Sequence, residues 1–321
     1  MVVVIVGGIS IGVVFLLGSV GEIITEKSGH LNLGIPGIMC MGAAGGCYTI
    51  AQYMNSLPSV ESASWLLLVL IGILGAVIVS ALGGLIYAIL TVTLRANQNV
   101  TGLALTTFGA GFAQFVMDTY VNRMRFSAAS KIIRYSIIGD ADLGWFGKIF
   151  LGHGVLVYLA IAIAVASAIV LKRTRVGLNL RAVGENPATA DAAGINVTAY
   201  KYGAILIGSG IAGLGGMFYI MDYIGGSWEN ASTIEGLGWL AIALVIFTLW
   251  KPDLSILGSF LFGILYIASS GITGVSFNVM KLLKLLPYVV TVIVLIVTSI
   301  LDSKENQPPA SLGLNYFREE R

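Results

Sequence analysis

SASWLLLVLIGILGAVIVSALGGLIYAILTVTL, residues 62–94, passes without a single charged side chain. A helix rises about 1.5 Å per residue, so about 20 apolar residues cross the roughly 30 Å hydrocarbon core of a bilayer. This run is long enough to cross with tilt. Working outward, further uncharged runs cover residues 1–21, 28–60, 96–117, 149–171, 202–221, 236–250, 254–280 and 285–301. Across 321 residues the chain is 57% hydrophobic and 11% charged, with mean hydropathy +0.91. Soluble domains carry about 25% charged residues. The expected fold is all-α, a polytopic transmembrane helical bundle of about nine spans, or ten if 28–60 crosses twice. A membrane β-barrel would show short alternating segments instead, and none is present. Residues 1–321 read as one transmembrane domain.

The first run, opening MVVVIVGG, lacks a basic n-region and reads as a span over 2–20, followed by a polar loop over 21–30. In LNLGIPG, residues 31–37, Gly34, Pro36 and Gly37 are expected to break the helix, giving a broken or re-entrant segment near 31–40. Broken backbone at membrane depth must line a cavity or be covered by protein. The run over 99–117 is polar for its place. Asn32, Asn99, Thr101, Thr106 and Thr107 are the candidates for a substrate path, the alternative being that they bond only to neighbouring helices. Gly208, Ala212 and Gly216 recur every four residues, the small-residue spacing of closely packed membrane helices. Residues 118–150 form the longest loop, where Asp140, Asp142 and Trp145 suggest a short interfacial helix.

One polar stretch stands apart: KRTRVGLNLRAVGENPATADAAGINVTAYK, residues 172–201. It holds Lys172, Arg173, Arg175, Arg181 and Lys201 against Glu185 and Asp191. Asn186 suits an N-cap, Pro187 the first helical position and Gly194 the position just past the end. Ala188, Ala190, Ala192 and Ala193 would give this helix almost no bulk, fitting a groove on another protein. An ordinary loop turn is the other reading of the same residues. With this loop cytoplasmic, alternating the spans puts 11 of the 18 basic residues inside. The N-terminus is then outside, loop 118–150 extracytoplasmic and the tail, 303–321, cytoplasmic.

The net charge of +2 gives no basis for nucleic-acid binding. Cys40 and Cys47 share an apolar run without metal-ligand spacing and read as buried thiols. His30 and His153 sit near span ends and read as hydrogen-bonded interface residues. There is no P-loop, no HExxH, no Ser/His/Asp set and no mid-span carboxylate pair, so no catalytic or metal site is expected. A chain lacking ionisable residues at mid-span fits a permease moved from outside, or a stand-alone channel or secondary transporter.

Several motifs resemble a known family. GEIITEKSGHLNLGIPGIMCMGA at 21–43, RANQ at 95–98, RAVGENPATADAAGINV at 181–197 and Trp250-Lys251-Pro252 are similar, in order, to motifs of the ABC importer permeases for nucleosides and simple sugars. This family is related to the branched-chain amino acid permeases. In form the chain is closest to the shorter permease subunit of bacterial purine-nucleoside importers. Ile35-Pro36 departs from a usual Val-Glu, and Thr248-Leu249 from a usual Gly-Arg. The resemblance implies a non-enzymatic permease of the bacterial plasma membrane, forming a heterodimer with a longer sister permease. An ABC ATPase on the cytoplasmic face would carry the ATP and Mg²⁺, with no cofactor on this chain. An extracytoplasmic binding lipoprotein or periplasmic protein would deliver the nucleoside. A simple sugar or a branched-chain amino acid is the alternative substrate. Residues 186–194 would be the coupling helix, with Arg181, Glu185 and Asp191 contacting the ATPase and Ala188, Ala190 and Ala193 letting the helix seat.

Overall fold

The computed structural model describes residues 2–121, 123–136, 144–271, 279, 282, 285–301 and 307–317, and every regular element among them is helical. In order these are α1 (Val2–Glu26), α2 (Ile35–Ser56), α3 (Trp65–Ala88), α4 (Gln98–Tyr120), α5 (Arg123–Ile133), α6 (Gly144–Phe150) and α7 (Val155–Arg173). Then come α8 (Arg175–Glu185), α9 (Pro187–Ala192), α10 (Val197–Phe218), α11 (Ala231–Phe247), α12 (Pro252–Gly271) and α13 (Leu286–Leu301). Wide π-type turns prolong α3 through Ile89–Thr93 and α10 through Tyr219–Tyr223. Among the described residues five helices are long and apolar enough to cross a membrane: α1, α3 and α10 with their extensions, α4 and α7. α11 and α12 are shorter apolar helices.

α1, α2 and α10 form the centre of the bundle, with α3 and α4 against α2, α12 along α1, and α11 bridging α1 and α2. Membrane helices gain little from burying apolar side chains against one another, since lipid tails are equally apolar, so close backbone packing must hold them. α10 supplies it. A Cβ on Gly208 would strike the Gly21 carbonyl of α1, and one on Gly216 would strike the Met39 carbonyl of α2. Ala212, between them, is fully buried. On the outside, Leu70, Leu74, Ile78, Leu82 and Ile86 of α3 form an exposed row with four-residue spacing, suited to lipid.

Two sequence expectations change. The first span does not end at residue 20: α1 continues to Glu26, because nothing between Gly21 and Glu26 breaks a helix and both glutamates find partners inside. The expected break near 31–40 shrinks to residues 31–34. Pro36 falls in the first turn of α2, where its missing N–H would have had no helical partner, so Pro36 and Gly37 start the helix instead of kinking it. The loop over 118–150 holds two helices, α5 and α6, with Asp140 and Asp142 outside the described residues. α5 turns Phe126, Ala129, Ser130 and Ile133 inward, and Ser130 Oγ donates to the Met221 carbonyl at 2.6 Å.

Gly216→Val is expected to destabilise the bundle by about 1–3 kcal/mol or more through overpacking against α2. Gly203→Ala, where an added Cβ meets open space, should leave stability near that of the parent or above it. Thermal unfolding in detergent of the two variants side by side checks this.

Candidate functional site

Four segments converge on one face of the bundle: the loop after α1, the turn after α3, the α8–α9 elbow, and the chain's last described residues, 307–317. The elbow is specified locally. Thr174 caps α8 by accepting from Gly177 N at 3.1 Å. Asn186 closes α8 and at the same time opens α9, its Oδ1 accepting from Thr189 N at 3.0 Å, with Pro187 following as the first helical residue. α9 ends in a paired closure, Gly194 N donating to Asp191 O and Ile195 N to Ala190 O, each at 3.0 Å. Gly194 has φ of +82°, a conformation open to glycine at little cost. Ala190, 3% exposed, packs inward on Val183 and Val197 with Ile195 and Tyr316 around them.

The outward surface of α9 therefore consists of Asn186, Thr189, Ala192, Ala193 and Gly194. Ala188 is half-buried, and Arg181 and Glu185 are exposed on α8. Ala190 was read as a seating residue, and its inward packing differs from that expectation: every third or fourth position of a short helix must face its own support.

The tail straps this face together, a feature no motif announced. Ser311 N donates to Gly184 O at 3.0 Å and its hydroxyl donates to the same carbonyl. Gly313 N reaches Gly29 O at 3.1 Å, and Ala310 N reaches Glu185 Oε2 at 3.3 Å. Asn315 Nδ2 donates to Arg95 O at 2.7 Å, and the Tyr316 hydroxyl to Asp191 Oδ2 at 2.9 Å. The Arg95 guanidinium lies 4.8 Å from the centre of the Phe317 ring. Two of the three polar residues expected to meet an ATPase, Glu185 and Asp191, thus hold the strap.

Beneath the strap lies a buried polar floor. Glu22 and Glu26, four apart on α1, are shut away from solvent. Asn32 N donates to Glu22 Oε1 at 2.9 Å, and Trp250 Nε1 donates to Glu26 Oε2. Leu249 and Trp250 hold φ of 56° and 55°, the left-handed turn that brings the indole round to the glutamate. No carboxylate pair was expected at mid-span, and this pair lies at the end of α1, in residues read as a polar loop. Its signal was there to be found: two glutamates spaced by one helical turn directly after an apolar run.

The path candidates separate. Asn32 is buried, its Oδ1 accepting from Gly34 N at 2.9 Å. Thr106 Oγ1 donates to Leu33 O at 2.9 Å and Thr101 Oγ1 to Asn97 O at 2.8 Å, both side chains being buried. Asn99 and Thr107 lie exposed on the outer side of α4, with Thr107 Oγ1 donating to Leu103 O at 3.3 Å. Among the described residues no group of three metal-ligating side chains occurs.

Comparison with known proteins joins this geometry to a family. The model of the branched-chain amino acid transport system permease component matches residues 4–298. The chain belongs to this permease family. The nucleoside ABC transporter permease NupC of Lactococcus lactis is 33% identical over 307 residues, 94% of this chain and 92% of NupC. The guanosine ABC transporter permease NupQ of Bacillus subtilis is 32% identical, covering 77% of this chain and 75% of NupQ. TsgC13 of Haloferax volcanii, whose name assigns it provisionally to glucose ABC transport as a permease, is 33% identical over 78% of this chain and 72% of its own length. The permease is an ABC transporter subunit with several membrane-spanning helices. It is not itself an enzyme.

Two outcomes follow for the permease. Trp250→Phe removes the donor to a buried carboxyl and should cost about 1–3 kcal/mol, whereas Glu26→Gln keeps an acceptor and should cost less; denaturation midpoints compare them. His30, in the loop between α1 and α2, is held down from 6.5 to about 3 by burial and then by the nearby Lys201, against a hydrogen bond to the Ser28 backbone. The unfolded chain therefore takes up a proton below pH 6.5 that the folded chain refuses. This contribution is complete above that pH and declines below it by about 1.4 kcal/mol per unit. His30→Gln should flatten the acid limb of stability between pH 6.5 and about 4.5 in a pH-dependent melting series.

Proposed function

We propose that this permease is one half of a heterodimeric pair in a nucleoside importer of the bacterial plasma membrane, moving substrate inward by alternating access. A separate ABC ATPase, holding ATP and Mg²⁺, docks on the face built by α8, α9 and the strap, and an extracytoplasmic binding protein delivers substrate. The observation that carries this reading is α9: a six-residue helix capped at both ends, backed by Val183 and Val197, and presenting only small or polar side chains outward. Such a helix is marginal alone. Its double capping and its backing make it stiff enough to receive a push. Nine spans, with the N-terminus outside, agree with the gathering of Lys27, Arg95, residues 172–201 and the tail on one face. NupC and NupQ favour nucleosides, and the chain's own polar groups suit a neutral solute carried without charge pairing. TsgC13 keeps a simple sugar as the second reading.

Ala193→Arg, altering only the exposed side of α9, should lower substrate-stimulated ATPase activity and uptake by about tenfold or more, with the amount of permease in the membrane unchanged. Ala190→Trp would be a poorer probe, because it disrupts the helix's own support. Normal uptake by the Ala193 variant would remove α9 as the point of force. Competition of uptake by adenosine, guanosine, uridine, ribose and glucose separates the nucleoside reading from the sugar reading.

A further inference from the structure

A cavity of about 460 Å³ opens between the end of α9, the start of α10 and the strap, and the transport reading gives it no occupant. His30, Arg95, Asp191, Thr198, Lys201 and Tyr316 line it. Lys201 is 3% exposed. Among the described residues its ammonium has no hydrogen-bond acceptor and no carboxylate in ion-pair reach, the Tyr316 ring being 6.0 Å away at its centre. A desolvated ammonium without a partner is costly, and such groups are normally paired. The cavity also receives the first turn of α10, a 22-residue helix whose positive end favours an anion. The one carboxylate in the lining, Asp191, is engaged by the Tyr316 hydroxyl.

We propose that this cavity binds a phosphate-bearing anion, held between the Lys201 ammonium and the first turn of α10. Its volume falls in the range of small-molecule sites, about 300–1,000 Å³, and exceeds what one acidic side chain would fill. Its lining includes Gly194, so it adjoins the outward surface of α9. An occupant would tie α10 to the strap through Lys201 and Tyr316, bracing the support on which α9 rests. The proposal does not depend on which solute crosses the membrane. The anion has two sources with the same chemistry, a soluble phosphate compound or the headgroup of an anionic lipid.

The test uses the full-length permease with the subunits it assembles with, in phosphatidylcholine nanodiscs. Inorganic phosphate and uridine 5′-monophosphate are titrated and followed by ³¹P NMR. Phosphatidylglycerol is added in a parallel set, and retained lipid is counted by native mass spectrometry. Binding in either arm should weaken about tenfold or more in Lys201→Met and recover in Lys201→Arg. Thr198→Glu, exposed at the cavity's mouth, should weaken it equally without removing any buried group. The arm that responds names the source. The proposal is overturned if neither anion binds, or if binding is indifferent to both Lys201→Met and Thr198→Glu. It is also overturned if Lys201→Met releases the ATPase while the parent binds no anion, since a protein carboxylate would then be the occupant.

Discussion

The contact of α10 with α1 and α2, backbone against backbone, is the constraint on which the permease depends. Gly208 meets the Gly21 carbonyl, and Gly216 meets the Met39 carbonyl. In lipid no solvent-driven collapse brings helices together, so shape at these crossings decides which helices are neighbours. The same crossings set where the ends of the helices emerge. Because α10 starts directly after the α8–α9 elbow and is wedged between α1 and α2, the elbow is joined directly to the centre of the bundle.

The elbow is stiff by local chemistry and is held down by long-range chemistry. Asn186 serves as the end of one helix and the start of the next, which leaves no free residue between α8 and α9 to act as a hinge. The strap then links Gly184, Glu185 and Asp191 to Gly29 and Arg95. Below, the Glu22–Asn32 and Glu26–Trp250 bonds tie the same loop to α1 and to the α11–α12 turn. These bonds cross-link the loop at several points, while Glu22 Oε2 and Asn32 Nδ2 keep no partner among the described residues.

The legible parts were those governed by local rules. Asn186, Pro187 and Gly194 announce α9 because capping and φ preference act within one turn of chain. The long runs announce spans because bilayer thickness sets a minimum length. What stayed hidden depends on distant partners. Glu22 and Glu26 look like loop residues until they are seen bonded to Asn32 and Trp250. Ala190 looks like a contact surface until Val183 and Val197 are found behind it. Thr106 looks like a path residue, and its hydroxyl is spent on the Leu33 carbonyl. Pro36 misled in the other direction, since a proline's effect depends on whether it falls inside a helix or at its first turn.

The strap has a consequence for biogenesis. Residues 309–317 are made after α13, yet they complete the surface formed by chain made much earlier. Until they arrive, Glu185 and Asp191 lack the partners that set their orientation, and the loop at Gly29 is uncovered. The face therefore matures only when synthesis has passed α13. A chain that stopped before α13 would therefore present this face without the strap.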